Sequence, residues 1–257
     1  MERKNPSREQ KHKTRPLINS ERTDLAGNAV ENLILQSIPE QEFSLLRPYL
    51  EPAELPTRLT LHEPGEKIEF AYFLNQGLCS LVVLTSDGRS VEVAIVGKEG
   101  ILGMPLVAGL RHSPWRAIMQ IPGQGLRIAS MTLGEFLAQT PELQALLNRY
   151  VLVRGLQVAQ IAACNRLHEI EQRLARWLLM CQDSIESDLV PVTHDFLAQM
   201  LGTGRPSVSL AAGLMQRAGM IENLRGAVRI INRKKLEQAV CECYRAIHQF
   251  NSALDLP

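Results

Sequence analysis

Apolar and polar positions along the chain change period twice, dividing it into a helical, a β-prone and a second helical stretch. Between Ala29 and Leu50 the apolar residues Val30, Leu33, Ile34, Phe43 and Leu46 fall at helical spacing, interrupted at Pro39. From Arg58 the pattern becomes short β-prone runs cut by turn signals at Pro64-Gly65, Asn75-Gln76-Gly77, Ser86-Asp87-Gly88 and Gly97-Lys98-Glu99-Gly100. Two further runs flank Pro122-Gly123. Strands this short, with turns at about ten-residue intervals, predict an antiparallel β barrel or sandwich.

After Pro141 the period returns to three or four. PELQALLNRYVLVRGLQVAQIAACN predicts one long helix over residues 141–165. Its apolar residues occupy more than one face, since Leu146, Val151, Leu152, Val153, Leu156 and Val158 add to the Leu143–Leu147–Ile161–Cys164 series. A helix apolar on two sides needs two partners, here the β domain and a second copy of itself. The next segment, HEIEQRLARWLLMCQDSI, is amphipathic, with Ile170, Leu174, Trp177, Leu178 and Cys181 on one side.

The stretch THDFLAQMLGTGRPSVSLAAGLMQRAGMI predicts two short helices about a glycine turn. Thr193 suits a helix cap and Asp195 the positive end of the helix dipole. Leu197 and Leu201 share a face, Ala198 permits a close crossing, and Gly202 is placed to end the helix in a left-handed conformation. Pro206 is tolerated only in a first turn, so the second helix starts near Arg205. Val208, Ala211, Ala212 and Met215 form its inner face. Arg205, Ser207, Ser209 and Leu210 point outward, and arginine and serine are suited to the edges of DNA bases. NLRGAVRII then reads as a hairpin turning at Arg225-Gly226, which makes the unit a winged helix-turn-helix with Arg225 and Arg229 on the wing.

Composition changes this picture little. The 257 residues are 45% hydrophobic and 21% charged, with a net charge of +1. Charge is nevertheless concentrated: Thr193 to Lys235 holds seven Arg or Lys against two acids, the footprint of a nucleic-acid-binding face. Residues 1–27 are polar and predict a disordered tail, a candidate phosphate-contacting arm without the apolar core of a secretory signal. No run approaches the roughly 20 apolar residues of a membrane span. Five cysteines, an odd number, predict reduced thiols and a cytoplasmic setting.

In this order (a β-roll with an early Pro-Gly-Glu, a long helix, a winged helix-turn-helix) the chain resembles the CRP/FNR family of bacterial transcription regulators over about residues 30–245. HEPGEKIEFAYFLNQGLCSLV is similar to the first half of that family's cyclic-nucleotide-binding-type β-roll, and LAQMLGTGRPSVSLAAGLMQRAGMI to its DNA-binding helices. The resemblance implies an α+β fold: an antiparallel, jelly-roll-like β-roll sensor over residues 28–140, a dimerisation helix over 141–165 and a DNA-binding domain over 166–257. It implies a homodimer that reads a two-fold symmetric operator in double-stranded DNA, with RNA polymerase as a partner if it activates. DNA contacts fall on Thr193, Arg205, Ser207, Ser209, Leu210, Arg225 and Arg229.

Departures from the family pattern bear on the effector. The loop that should supply the ribose-binding acid reads Glu99-Gly100-Ile101-Leu102-Gly103-Met104-Pro105, with no acid after the glycine. A buried ribose hydroxyl left without its acceptor costs about 1–3 kcal/mol, which argues against cyclic AMP. Arg116-Ala117 resembles the phosphate-binding pair, so the implied pocket comprises Gly100, Leu102, Gly103, Arg116 and Ala117, for an unknown effector and no identifiable cofactor. No cysteine precedes Cys79, against an N-terminal iron–sulfur cluster, and Leu210 stands where a second base-contacting arginine is common in the cyclic-AMP receptor.

Two other readings compete. The chain could be a ligand-binding module acting on a protein partner, or a thiol-based redox sensor using Cys241 and Cys243, or Cys164 and Cys181. Cys241-Glu242-Cys243 with His248 lacks the usual spacer of a zinc site and is read as structural, with no metal expected. No nucleophile elbow, His-Glu-x-x-His, P-loop or dinucleotide fingerprint occurs, so no enzyme activity is expected, and His62, His112 and His194 are read as surface or capping residues.

Overall fold

The computed structural model describes residues 22–257. The predicted N-terminal arm thus lies outside the described residues up to position 21. Of residues 22–27, placed in the tail by their polarity, Arg22 and Asp24 are buried, whereas Leu25, Ala26 and Gly27 are exposed. Arg22 is buried, donates to the Leu35 and Ile38 carbonyls, and stacks over the Phe43 ring at 4.9 Å. A guanidinium satisfied by backbone oxygens and an aromatic face can anchor a segment that composition alone marks as solvated.

Two short helices, α1 (Leu33–Ser37) and α2 (Glu40–Leu46), break at Pro39 as the sequence predicts. Asn32 caps α1 by accepting from the Leu35 amide and donates to the Leu74 and Gly100 carbonyls, tying the helix to the strands that follow. Eight strands then build two antiparallel sheets. One sheet has the order β1 (Glu51–Leu55), β8 (Gly123–Ala129), β3 (Phe70–Leu74), β6 (Ile101–Leu102). The other runs β2 (Thr60–His62), β7 (Arg116–Ile121), β4 (Leu78–Leu84), β5 (Ser90–Val96). Gly65, Gly77 and Gly88 all adopt positive φ at the turns marked in the sequence, where other residues would be strained.

Helix α3 (Ser130–Leu137) leads into α4 (Pro141–Leu167), two residues longer than expected. Leu143, Leu147, Tyr150 and Val153 of α4 close the β-roll core against Phe73, Leu102 and Leu126. The C-terminal region comprises α5 (Ile170–Ile185), β9 (Leu189–Val190), α6 (His194–Met200), α7 (Arg205–Arg217), the hairpin β10 (Ile221–Leu224) and β11 (Ala227–Ile230), α8 (Arg233–Ala239) and α9 (Cys243–Ser252). The fold is therefore α+β: an antiparallel β-roll, a long helix and a winged helix-turn-helix. No helix among the described residues is long and apolar enough to cross a membrane.

Sheet β2-β7-β4-β5 is covered on both faces. Its inner face, with Cys79, Leu81, Ala94, Ala117 and Met119, packs in the roll. Its outer face, with Leu78, Val82, Ile95 and Ile121, shares a second core with Leu174, Trp177, Leu178 and Cys181 of α5. Polar groups are sealed into this junction. Trp177 Nε1 donates to Glu92 Oε1 at 2.8 Å, and the Ser80 hydroxyl lies 2.6 Å from Glu92 Oε2 and 2.8 Å from Gln120 Oε1. One hydroxyl proton cannot serve two acceptors. If Glu92 is protonated it donates to Ser80, and Ser80 in turn donates to Gln120. Burial pushes the Glu92 carboxyl up to about 7, against the opposing pull of its Ser80 and Trp177 hydrogen bonds and the Arg176 charge.

A carboxyl raised in the folded state favours folding most below its ordinary value, and that contribution is lost as pH rises through about 7. Glu92→Gln keeps the hydrogen bonds without the titration. We expect the wild-type melting temperature to fall relative to this variant between about pH 5 and 8. Parallel melting curves over that range would contradict the assignment.

Candidate nucleic-acid interface

The helix-turn-helix forms where residue chemistry places it. Thr193 caps α6, its hydroxyl accepting from the Phe196 amide at 3.2 Å. The helix stops at Leu201, and Gly202 follows with φ of 57°. Arg173 of α5 donates to the Leu201 carbonyl, closing the helix end from outside. Helix α7 begins at Arg205 with Pro206 in its first turn, and Val208, Ala211, Ala212 and Met215 are all buried. Arg205, Ser207, Ser209 and Leu210 are exposed, Leu210 to 62%. The wing turns at Arg225-Gly226, where Gly226 has φ of 78°, and β11 also pairs with β9 to complete a three-stranded sheet.

One residue central to this arrangement is read from the sequence only as a surface or capping residue. His194 Nδ1 lies 3.1 Å from the Ser209 hydroxyl and Nε2 lies 3.2 Å from Asn223 Oδ1, so one imidazole joins α6, α7 and the wing. Asn223 donates onward to the Ala212 carbonyl and to Gln216 Oε1. The neutral ring protonated on Nε2 satisfies both contacts, accepting from Ser209 and donating to Asn223. A histidine one position after a capping threonine carries no signal of such a role. His62 also departs from expectation: it is buried rather than at the surface, and desolvation pushes it down to about 4, so it stays neutral.

The basic charge is less available than its count implies. Arg229 pairs with Glu222 at 2.9 Å, Arg233 with Asp183 at 2.8 Å and Glu237 at 2.7 Å, and Lys235 donates to the Ala218 carbonyl. Arg205 is held loosely, 3.4 Å from Asp195, with both side chains largely exposed. Arg217, Arg225 and Lys234 are exposed. Exposed pairs of this kind contribute little stability, so Arg205 and Arg229 can exchange their carboxylates for phosphate or a base at small cost.

Residues 172–239 match the family described as the Crp-like helix-turn-helix domain. These residues form a Crp-like helix-turn-helix domain. Structural similarity extends well beyond it. FixK2 from Bradyrhizobium japonicum is 14% identical, with a TM-score of 0.65 over 75% of this chain and 98% of its own. A CRP-family transcriptional regulator from Thermus thermophilus is 21% identical, with a TM-score of 0.61 over 73% and 95%. The c-di-GMP-responsive global regulator CLP from Xanthomonas campestris is 16% identical, with a TM-score of 0.63 over 75% and 99%. No curated protein sequence matches the chain. The β-roll, long helix and Crp-like domain thus share the fold of these regulators.

The five residues of the expected effector pocket lie on both sheets of the roll and at the two positions flanking β6. Leu102 pairs with Tyr72 in one sheet, and Ala117 pairs with His62 in the other. Arg116 Nε donates to both carboxylate oxygens of Glu63, at 2.9 and 3.0 Å. Gly103 has φ of 101° and starts a short 3-10 turn. Gly100 is the seat of α4: a Cβ there would lie 2.0 Å from the Tyr150 hydroxyl. Clefts also open outside these residues. One of about 220 Å³ opens between β5, α4 and α9 beside Lys98, Arg154 and Tyr244, and one of about 630 Å³ between the β4–β5 hairpin and the Crp-like domain.

Gly100→Ala is therefore expected to destabilise by roughly 1–3 kcal/mol through overpacking against Tyr150. Adding Tyr150→Phe removes the clashing oxygen and should recover part of the loss. Urea unfolding of the single and double variants checks this, and additive losses would show that the two residues do not share the space.

Proposed function

We propose that the chain is a sequence-specific DNA-binding transcriptional regulator that works in the cytoplasm as a homodimer on a two-fold symmetric operator. The observation that carries this reading is the outward face of α7: a Crp-like domain presenting Arg205, Ser207 and Leu210 beside the wing arginines. Arg205 chelates a guanine edge, Ser207 accepts from or donates to a neighbouring base, and Leu210 offers an apolar surface suited to a thymine methyl. Ser209, engaged by His194, and Thr193, committed to its cap, orient the helix. Arg225 and Arg229 contact phosphates.

Helix α4 supports the dimer. Leu152, Gly155, Leu156, Ala159 and Ala163 are exposed along one stripe with coiled-coil spacing, while the opposite face is buried against the β-roll and α9. Pairing two such stripes sets the recognition helices about one DNA turn apart, roughly 34–36 Å. The β-roll is the sensing domain. An anionic effector taken up beside Ala117 would displace Glu63 from Arg116 and shift the population of head orientations. RNA polymerase is the further partner wherever the operator position makes the regulator an activator.

Selection of bound sequences from random duplex DNA is expected to return a palindrome, with affinity falling steeply as salt rises. Arg205→Ala should cost about 1–3 kcal/mol and relax preference at one position per half-site, whereas Arg225→Ala should weaken all sequences alike. An unstructured selection together with salt-independent retention would refute the reading.

A further inference from the structure

Four potential metal ligands that the sequence leaves scattered converge at the base of the Crp-like domain. Cys164 sits in the last turn of α4, His168 where α4 gives way to α5, and Cys241 and Cys243 at the connection from α8 to α9. Their ligand atoms all lie within 4.8 Å of one another. Cys164 Sγ is 3.6 Å from Cys241 Sγ, and Cys243 Sγ is 3.6 Å from His168 Nδ1. All three cysteines are buried. His248, the partner suggested by the sequence, meets the Tyr244 ring edge-on instead.

These distances discriminate between chemistries. A zinc ion with Zn–S bonds of about 2.3 Å in tetrahedral geometry separates its sulfur ligands by about 3.8 Å. The 3.6 Å Cys164–Cys241 pair is close to that edge, and the 3.6 Å Cys243–His168 pair matches the shorter sulfur–nitrogen edge of about 3.5 Å that a Zn–N bond of about 2.0–2.1 Å gives. An iron–sulfur cluster distributes its cysteines over separate irons and needs them farther apart. A disulfide needs sulfurs about 2.05 Å apart, well inside the Cys164–Cys241 separation.

The surroundings are also those of a ligand set. His168 Nε2 lies 3.2 Å from Glu242 Oε1, which holds the ring so that the Nδ1 lone pair faces Cys243, the carboxylate–histidine arrangement that orients metal-bound imidazoles. Gln160 Nε2 lies 3.1 Å from Cys243 Sγ and can donate to a thiolate there. Arg176 is buried, its Nε without a partner, and its one side-chain hydrogen bond goes to the Met180 sulfur. Three thiolates on a divalent cation carry one net negative charge, and the Arg176 guanidinium, close enough for its charge to act on Cys164, offsets it.

We propose that Cys164, His168, Cys241 and Cys243 form a structural zinc site that clamps the junction of the long helix and the Crp-like domain to the C-terminal helix. Each ligand pair comes from a different part of the chain, so the ion cross-links α4 to the α8–α9 connection. It thereby restrains the segment about which α5 leaves α4. Sequence inspection finds only Cys-x-Cys because the other pair, Cys164 and His168, is supplied from about 75 residues away by the packing of α9 along α4.

The test uses the full-length chain, purified reduced and without chelator. Elemental analysis should find one zinc per chain. Cobalt(II) added to the stripped protein should give thiolate-to-metal charge transfer and the intense ligand-field bands of a tetrahedral site, both abolished by zinc. Cys164→Ser and Cys241→Ser should lose those bands. Should either fail to fold, Glu242→Gln changes a side chain that is 78% exposed, and it should retain the site with zinc affinity about 10- to 100-fold lower. Absence of thiolate charge transfer, unchanged zinc affinity in Glu242→Gln, or a Cys164–Cys241 disulfide in place of bound metal would each overturn the proposal. The cobalt spectrum does not depend on DNA, so failure here leaves the regulator reading untouched.

Discussion

The seating of α4 on the β-roll is the constraint from which the other arrangements follow. Tyr150 fills the space above Gly100, and Arg154 lies over the Tyr150 ring at 4.8 Å. The same guanidinium donates to the Ile95 carbonyl, to Gln157 and to Glu99, so a buried charge is satisfied from three sides. Gln157 passes the connection to Asn251 of α9. With one face committed in this way, the stripe from Leu152 to Ala163 is left pointing outward, and α5 is delivered onto the outer face of the β4–β5 sheet.

That delivery gives the second core an unusual composition for a contact between domains. It is apolar at Leu78, Val82, Leu174 and Leu178, yet it encloses Ser80, Glu92 and Gln120. Apolar area supplies the attraction, while the polar chain discriminates: Trp177 must find Glu92, or two buried polar groups go unpaired. The contact can therefore be strong in one geometry and poor in neighbouring ones.

Much of this was legible in the residues, and the exceptions have physical causes. The start of α7 at Arg205 and the end of α6 just before Gly202 are local chemistry, as are the glycine turns, so they read directly. Strand β1 did not, because Glu51-Pro52-Ala53-Glu54-Leu55 has no alternation and its pairing to β8 is set from more than 60 positions away. Arg22 read as tail because nothing local reveals the carbonyls that receive it. The outward residues of α7 were legible since exposure on a short helix follows its period. The fate of Gly100 and Arg116 was not, because filling by Tyr150 and pairing with Glu63 are tertiary events. The cysteine and histidine group was hidden for the same reason.

His194 has a mechanical consequence. Because its imidazole fastens α6 to both α7 and the wing, the three elements form one rigid lever, and little play is left at the turn between them. Angular error at the tip of α7 is then set by the α4–α5 junction, which lies outside these three elements. Precision of reading in such a head is governed by the stiffness of its neck.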